Sequence, residues 1–95
     1  MVEYEEIIKR IFFFGEIKMP KIIKIVFLQY PEFNQKYLGH KWYYIYLYDD
    51  DSMTVSWGVN NTTYGTRTKS EDGTKFFYKR IEDKIIKGYR IIEIR

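Results

Sequence analysis

A chain of 95 residues with 45 % apolar and 20 % aromatic side chains is one small domain with enough bulk for a core. Its 16 Lys+Arg and 13 Asp+Glu are interspersed, net +3, which excludes an apolar-poor disordered tail, and no apolar run approaches the ~20 residues of a membrane span. The absence of cysteine excludes a disulfide scaffold and any thiolate metal site, and a single histidine, His40, argues against structural zinc.

Residues 3–14 carry Tyr4, Ile7, Ile8, Ile11 and Phe12 at i, i+3, i+4, i+7, i+8, the stripe of an amphipathic helix. Glu3, Glu5 and Glu6 in the first turn suit the helix dipole, Gly15 is a stop, and Pro20 forbids continuation. The Phe12–Phe14 run admits a strand instead. These residues, 1–20, read as an N-terminal helix and connector preceding a domain over 21–95.

Lys21–Tyr30 is rich in β-branched and aromatic residues and predicts a strand, followed by a loop over Pro31–Gly39. Trp42–Tyr48 (WYYIYLY) is apolar on both faces and is expected at the centre of a sheet. Asp49–Ser52 is a turn. Met53, Val55 and Trp57 then alternate with Thr54 and Ser56, so the first three share one face. Gly58–Asn61 forms the next turn, with Asn-Asn tolerant of left-handed backbone. Thr62–Lys69 completes three antiparallel strands and sets Arg67 and Lys69 on one face.

A helix starts near Ser70–Thr74, with Ser70 or Asp72 as N-cap. Phe77, Ile81 and Ile85 form its core stripe, and Lys79–Asp83 and Asp83–Lys87 are i, i+4 ion pairs on its outer face. Gly88 ends it, and Tyr89–Ile94 is a short terminal strand. The class is α+β: an antiparallel β-sheet with one helix packed across it, plus the N-terminal helix.

Catalytic signals are sparse. There is no glycine-rich phosphate loop, no nucleophile elbow and no partner set for a His40 triad. The one enzymatic candidate is a metal-dependent nuclease using Asp49–Asp51 with Glu82-Asp83-Lys84. The former reads better as a solvated turn and the latter as helix surface, not a ligand set. The expectation is a protein without catalytic residues, metal or cofactor, and without a small-molecule substrate.

The segment from His40 to Asp50 (HKWYYIYLYDD) resembles the NKFY-x-I-x-L-L-E-D strand of WGR domains, DNA-break-sensing modules of poly(ADP-ribose) polymerases and many bacterial proteins. Val55-Ser56-Trp57-Gly58-Val59 resembles the Trp-Gly-Arg strand end, with Val59 standing where the motif has arginine. Gly65–Lys69 is similar to the following strand, and Phe77, Ile81, Lys84 and Gly88-Tyr89 to the family's closing helix. The likeness spans roughly residues 21–94. It implies a WGR-like fold that binds DNA ends or nicks, with Trp57 stacking beside Gly58 and His40, Lys41, Arg67 and Lys69 on the phosphate backbone.

Chemistry supplies a bland reading beside each of these. Trp57 either offers its indole face to a sugar or base, cleared by Gly58, or fills the core with Met53 and Val55. Alternation alone favours the core; the resemblance reverses that order. Trp42, at the head of the central strand, reads as core. His40-Lys41 is either a phosphate contact or a solvated strand end, Arg67 and Lys69 form a phosphate-facing pair, and Lys75, Lys79 and Lys87 read as a solvated helix face.

The function expected is therefore a non-catalytic nucleic-acid-binding domain. The rival is a protein-interaction module, such as a small viral or mobile-element protein engaging a host factor through exposed aromatics. A pI near 9.0 permits a polyanion partner without requiring one. The acidic start at Glu3, where a signal peptide would be basic, predicts a cytoplasmic protein with no membrane association.

Overall fold

The structure, a computed structural model, describes residues 20–95. The helix predicted over 3–14, and with it all but the last residue of the 1–20 segment, lies outside the described residues. Strands β1 (Ile22–Gln29), β2 (Lys41–Tyr48), β3 (Met53–Val59) and β4 (Thr62–Lys69) are followed by helix α1 (Gly73–Ile86) and strand β5 (Arg90–Ile94). They build a single antiparallel sheet in the order β4-β3-β2-β1-β5, with β2 at its centre as its two apolar faces predict. The fold is α+β. Among the described residues no helix is long and apolar enough to cross a membrane.

β1 to β4 form a meander, each strand beside the last. β5 breaks that order by pairing with β1 on the far edge, so α1 must carry the chain across the whole sheet. Four inter-strand spacings amount to about 19 Å. The 14 residues of α1 span about 21 Å at helical rise, so the helix is matched to the crossing.

Period-two alternation places Val26, Leu28, Ile45, Leu47, Met53 and Val55 on the helix side of the sheet, all buried. Phe77, 1 % exposed, inserts into them from α1, with Phe76 and Ile81 packed at the margin. Burial of each large apolar side chain of this kind contributes about 1.5–3 kcal/mol. The opposite face carries Phe27, Trp42, Tyr44 and Tyr46, which shield one another: Phe27 stacks on Tyr44 at 4.6 Å, and Tyr44 on Tyr46 at 5.9 Å. Beside them, hydroxyl pairs Thr54–Thr68 and Ser56–Thr66 bridge β3 and β4 at 3.2 and 3.1 Å.

Several local expectations are corrected. Trp42 is not core: the register sets it on the face away from the helix, where its Nε1–H donates to the Asn60 carbonyl at 2.7 Å. β3 runs two residues further than Trp57, leaving only Asn60-Asn61 as the turn, with Asn60 at φ 51°. Asp72, of the two candidates, holds the N-cap position of α1 and its carbonyl accepts the Phe76 N–H at 3.1 Å, but it is left-handed at φ 55° and makes no capping bond with its side chain. Ile85 is 48 % exposed, because the inward stripe runs from buried Phe77 through partly buried Ile81 to buried Lys84 and leaves the next position outside. The ion pairs expected of Asp83 with Lys79 and Lys87 do not form; among the described residues the one salt bridge is Arg95–Glu93 at 2.9 Å. Gly88, at φ 102°, ends the helix as predicted.

Candidate nucleic-acid interface

Trp57 stands on the helix side of β3, in register with Tyr43 on β2 and Gly65 on β4. Its indole lies over Gly65: a Cβ added there would stand 2.3 Å from Trp57 Cζ2. Tyr43 and Trp57 lie nearly parallel, 24° apart with ring centres at 6.1 Å. Both are partly buried against the rim of the core. Trp57 therefore combines the two readings of the sequence, one surface on the core and the other lining open clefts.

The clearance expected from Gly58 serves a different ring. A Cβ on Gly58 would meet Trp42 Cζ2 at 2.7 Å and the Thr62 carbonyl at 2.0 Å. Period-two alternation puts Gly58 on the face opposite Trp57, directly across from Trp42 on β2, while a register shift between Trp57 and Gly58 pairs Trp57 with Gly65 on β4. Such a bulge re-aims the strand, and Tyr64 is left projecting on the edge.

Three adjoining clefts share Tyr43 in their walls. The first, about 430 Å³, lies between β4 and α1 and is lined by Trp57, Phe76, Arg67, Lys69 and Arg80 among others. Arg67 and Lys69 do share this face, and Lys69 Nζ sits 3.9 Å above the Phe76 ring. The second, about 500 Å³, is lined by Lys41, Lys84, Lys87, Tyr89 and Glu32. The third, about 270 Å³, joins Lys41, Tyr37, Tyr64, Gly58 and Trp57 at the end of the sheet. Together the walls hold six cationic side chains and a single carboxylate, Glu32.

Of the residues singled out in the sequence, Trp57, Arg67 and Lys69 come together in the first cleft, and Lys41 and Gly58 reach the third. His40 stands apart from all three: its Nδ1–H donates to the Tyr30 carbonyl at 3.2 Å and its ring meets Phe33 edge-on. Lys87 is exposed, as predicted, and also borders the second cleft. Lys75 and Lys79 are exposed, as predicted.

Tyr43, Arg80, Lys84 and Tyr89 were not legible as site residues. A signal existed for Lys84, which falls at i+7 from Phe77 and i+3 from Ile81 and so interrupts the apolar stripe with a lysine. Its side chain is 6 % exposed and rests on aromatic faces, Nζ 3.8 Å from the centre of Tyr43 and 5.5 Å from that of Tyr89. Burial pushes the Tyr89 hydroxyl up to about 12, helped by neighbouring Tyr43 and Tyr30, so it stays neutral at physiological pH.

The turn carboxylates of the nuclease candidate have structural bonds. Asp49 accepts the Lys21 N–H at 3.0 Å, Asp50 the Ser52 N–H at 3.0 Å, and Asp51 the Thr74 N–H at 2.7 Å. Among the described residues no group of three or more His, Cys, Asp or Glu side chains is placed to hold a metal ion. Compared with protein-family models, curated proteins and solved structures, the chain matches none.

Proposed function

We propose that this protein is a non-catalytic nucleic-acid-binding domain that takes DNA ends or nicks by backbone contacts and aromatic stacking. The observation that carries the reading is the cleft system around Tyr43 and Trp57, walled by six cations and one carboxylate. Cations interleaved with partly exposed rings are what a polyanion with flat bases requires. Arg67, Lys69 and Lys41 contact phosphates, and Trp57, tiled beside Tyr43, supports an unpaired base or terminal sugar. The resemblance of residues 40–69 to WGR domains supports the same ligand class, with Arg67 supplying a guanidinium that the motif position, Val59, lacks.

Fluorescence anisotropy with blunt, nicked and single-stranded DNA across a salt series tests this. Micromolar binding is expected, with a slope of log affinity against log salt of about −3 for three or four displaced counterions. Absence of binding to every form at low salt would overturn the reading.

A protein-interaction role draws on a different observation. Leu38 is 70 % exposed in a left-handed conformation at φ 55°, with exposed Phe33 and Tyr37 in the same loop. An apolar side chain held outward on strained backbone suits an anchor in a partner's pocket. Association that is insensitive to salt and abolished by Leu38→Asp would favour that role.

A further inference from the structure

We propose that Lys84, with Lys41 and Lys87 beside it, forms a binding site for one phosphate group in the cleft between α1 and the 31–40 loop. Lys84 is the one charged side chain among the described residues that is buried. Its stem is covered while Nζ opens onto the cleft, where an anion and hydrogen-bond acceptors would stabilise the charge. Here the described residues supply neither. The single salt bridge lies elsewhere, at Arg95–Glu93, and no hydrogen bond to Lys84 Nζ is formed. What faces the ammonium is the ring of Tyr43 at 3.8 Å and that of Tyr89 at 5.5 Å, which attract a cation but leave its charge uncancelled.

The surroundings add charge of the same sign. Lys84, Lys41 and Lys87 line one cleft of about 500 Å³ with Glu32 as the single carboxylate, a net charge of +2 from three cations and one anion. Tyr89 contributes no anion, because its hydroxyl is neutral. A tetrahedral oxyanion entering the cleft would meet an ammonium held against two rings on a buried stem and open to the cleft. Its charge would offset the mutual repulsion of the three lysines. The fixed rings do the positioning, so little side-chain freedom is lost on binding.

That the phosphate comes from a nucleic-acid backbone rests on the reading above; the anion site itself does not. Two measurements on the full 95-residue chain separate them. The first is thermal unfolding in sodium phosphate and in sodium chloride at matched ionic strength. Phosphate is expected to raise the midpoint of the wild-type chain by several degrees over chloride, since a ligand that binds only the folded state stabilises it. Lys84→Met should lose that rise while unfolding in chloride at the wild-type midpoint or above it, because the stem still packs and the unpaired charge is gone. Lys84→Arg should retain part of the rise. Should Lys84→Met fail to fold, saturable shifts of the Tyr43 and Tyr89 ring signals of the wild-type chain on titration with phosphate, but not chloride, support the site; their absence overturns it.

The second measurement is the affinity of wild type and Lys84→Met for nicked DNA, expected to differ about tenfold or more. A phosphate response without DNA binding supports the site, removes nucleic acid as the source and leaves free phosphate. DNA binding without a phosphate response, or a response that Lys84→Met retains, overturns the site and leaves the nucleic-acid reading standing.

Discussion

The Asp51 carboxylate, on the turn between β2 and β3, accepts both the Thr74 backbone N–H at 2.7 Å and the Thr74 hydroxyl at 2.6 Å. The Gly73 N–H adds a bond to the Asp51 carbonyl at 2.7 Å. The start of α1 is therefore capped by a residue 23 positions away in the chain, and the cap pins the helix to the hairpin it crosses.

Removing that cap should weaken the tertiary fold and not merely the helix. Bonding to Thr74 holds the Asp51 carboxyl below its ordinary value of 3.8. A depressed folded-state value means a stabilisation fully present above 3.8 and lost as pH falls through the folded value. Asp51→Ala is expected to lower the unfolding midpoint at pH 7, with the gap from wild type closing in acid below that range. Thermal unfolding followed by circular dichroism at pH 7 and in acid reads both effects. A gap that persists undiminished in strong acid would show that the carboxylate charge is not the cause.

Ile81 and Ile85 occupy adjacent turns of α1 and should respond differently. Phe77→Ala is expected to destabilise by about 3–5 kcal/mol and Ile81→Ala, at the margin of the core, by about 2 kcal/mol. Ile85→Ala should stay within about 0.5 kcal/mol of wild type, as for a surface position. Denaturant titration of the three variants checks the ranking.

The neighbours of the two tryptophans make separable predictions. Gly65→Val should displace the Trp57 indole, change its fluorescence and weaken DNA binding, whereas Gly58→Ala should disturb Trp42 instead. Trp57→Ala is expected to reduce DNA affinity by about 1–3 kcal/mol through lost stacking, together with a loss of stability from its buried side. Tyr46→Ala, on the opposite face of the sheet and outside the three clefts, should leave affinity unchanged. Anisotropy measured well below each variant's midpoint separates binding from folding; equal affinity loss from Tyr46→Ala and Trp57→Ala would place the ligand elsewhere.

Charge substitutions sort the cations. Arg67→Gln and Lys69→Gln should each weaken binding to all DNA sequences alike and reduce the magnitude of the salt slope by about 1. His40→Gln should leave the slope unchanged, because its ring is engaged with Tyr30 and Phe33 outside the clefts. Affinities taken at several salt concentrations give the slopes directly.

What the chain determines by itself is what local geometry can encode. Alternation along Met53, Val55 and Trp57 is a property of one extended segment, so the face they share follows from their spacing. The same holds for Arg67 with Lys69, for the Phe77–Ile81 stripe, for the left-handed Asn60 turn and for the Gly88 stop. The centrality of Trp42–Tyr48 also follows, since a strand apolar on both faces cannot sit at a wet edge. Pairings between distant residues are not local. That Gly65 makes room for Trp57 depends on a one-residue bulge between β3 and β4, without which the turn would set Tyr64 opposite the indole. That the capping carboxylate comes from Asp51 and not from Asp72, which holds the N-cap position, depends on where the helix lands as it crosses the sheet. The isolation of Lys84 depends on the same crossing. One helical stripe carries both Phe77 and Lys84, but only the docked helix brings that lysine against Tyr43 and leaves its charge without a counter-ion among the described residues.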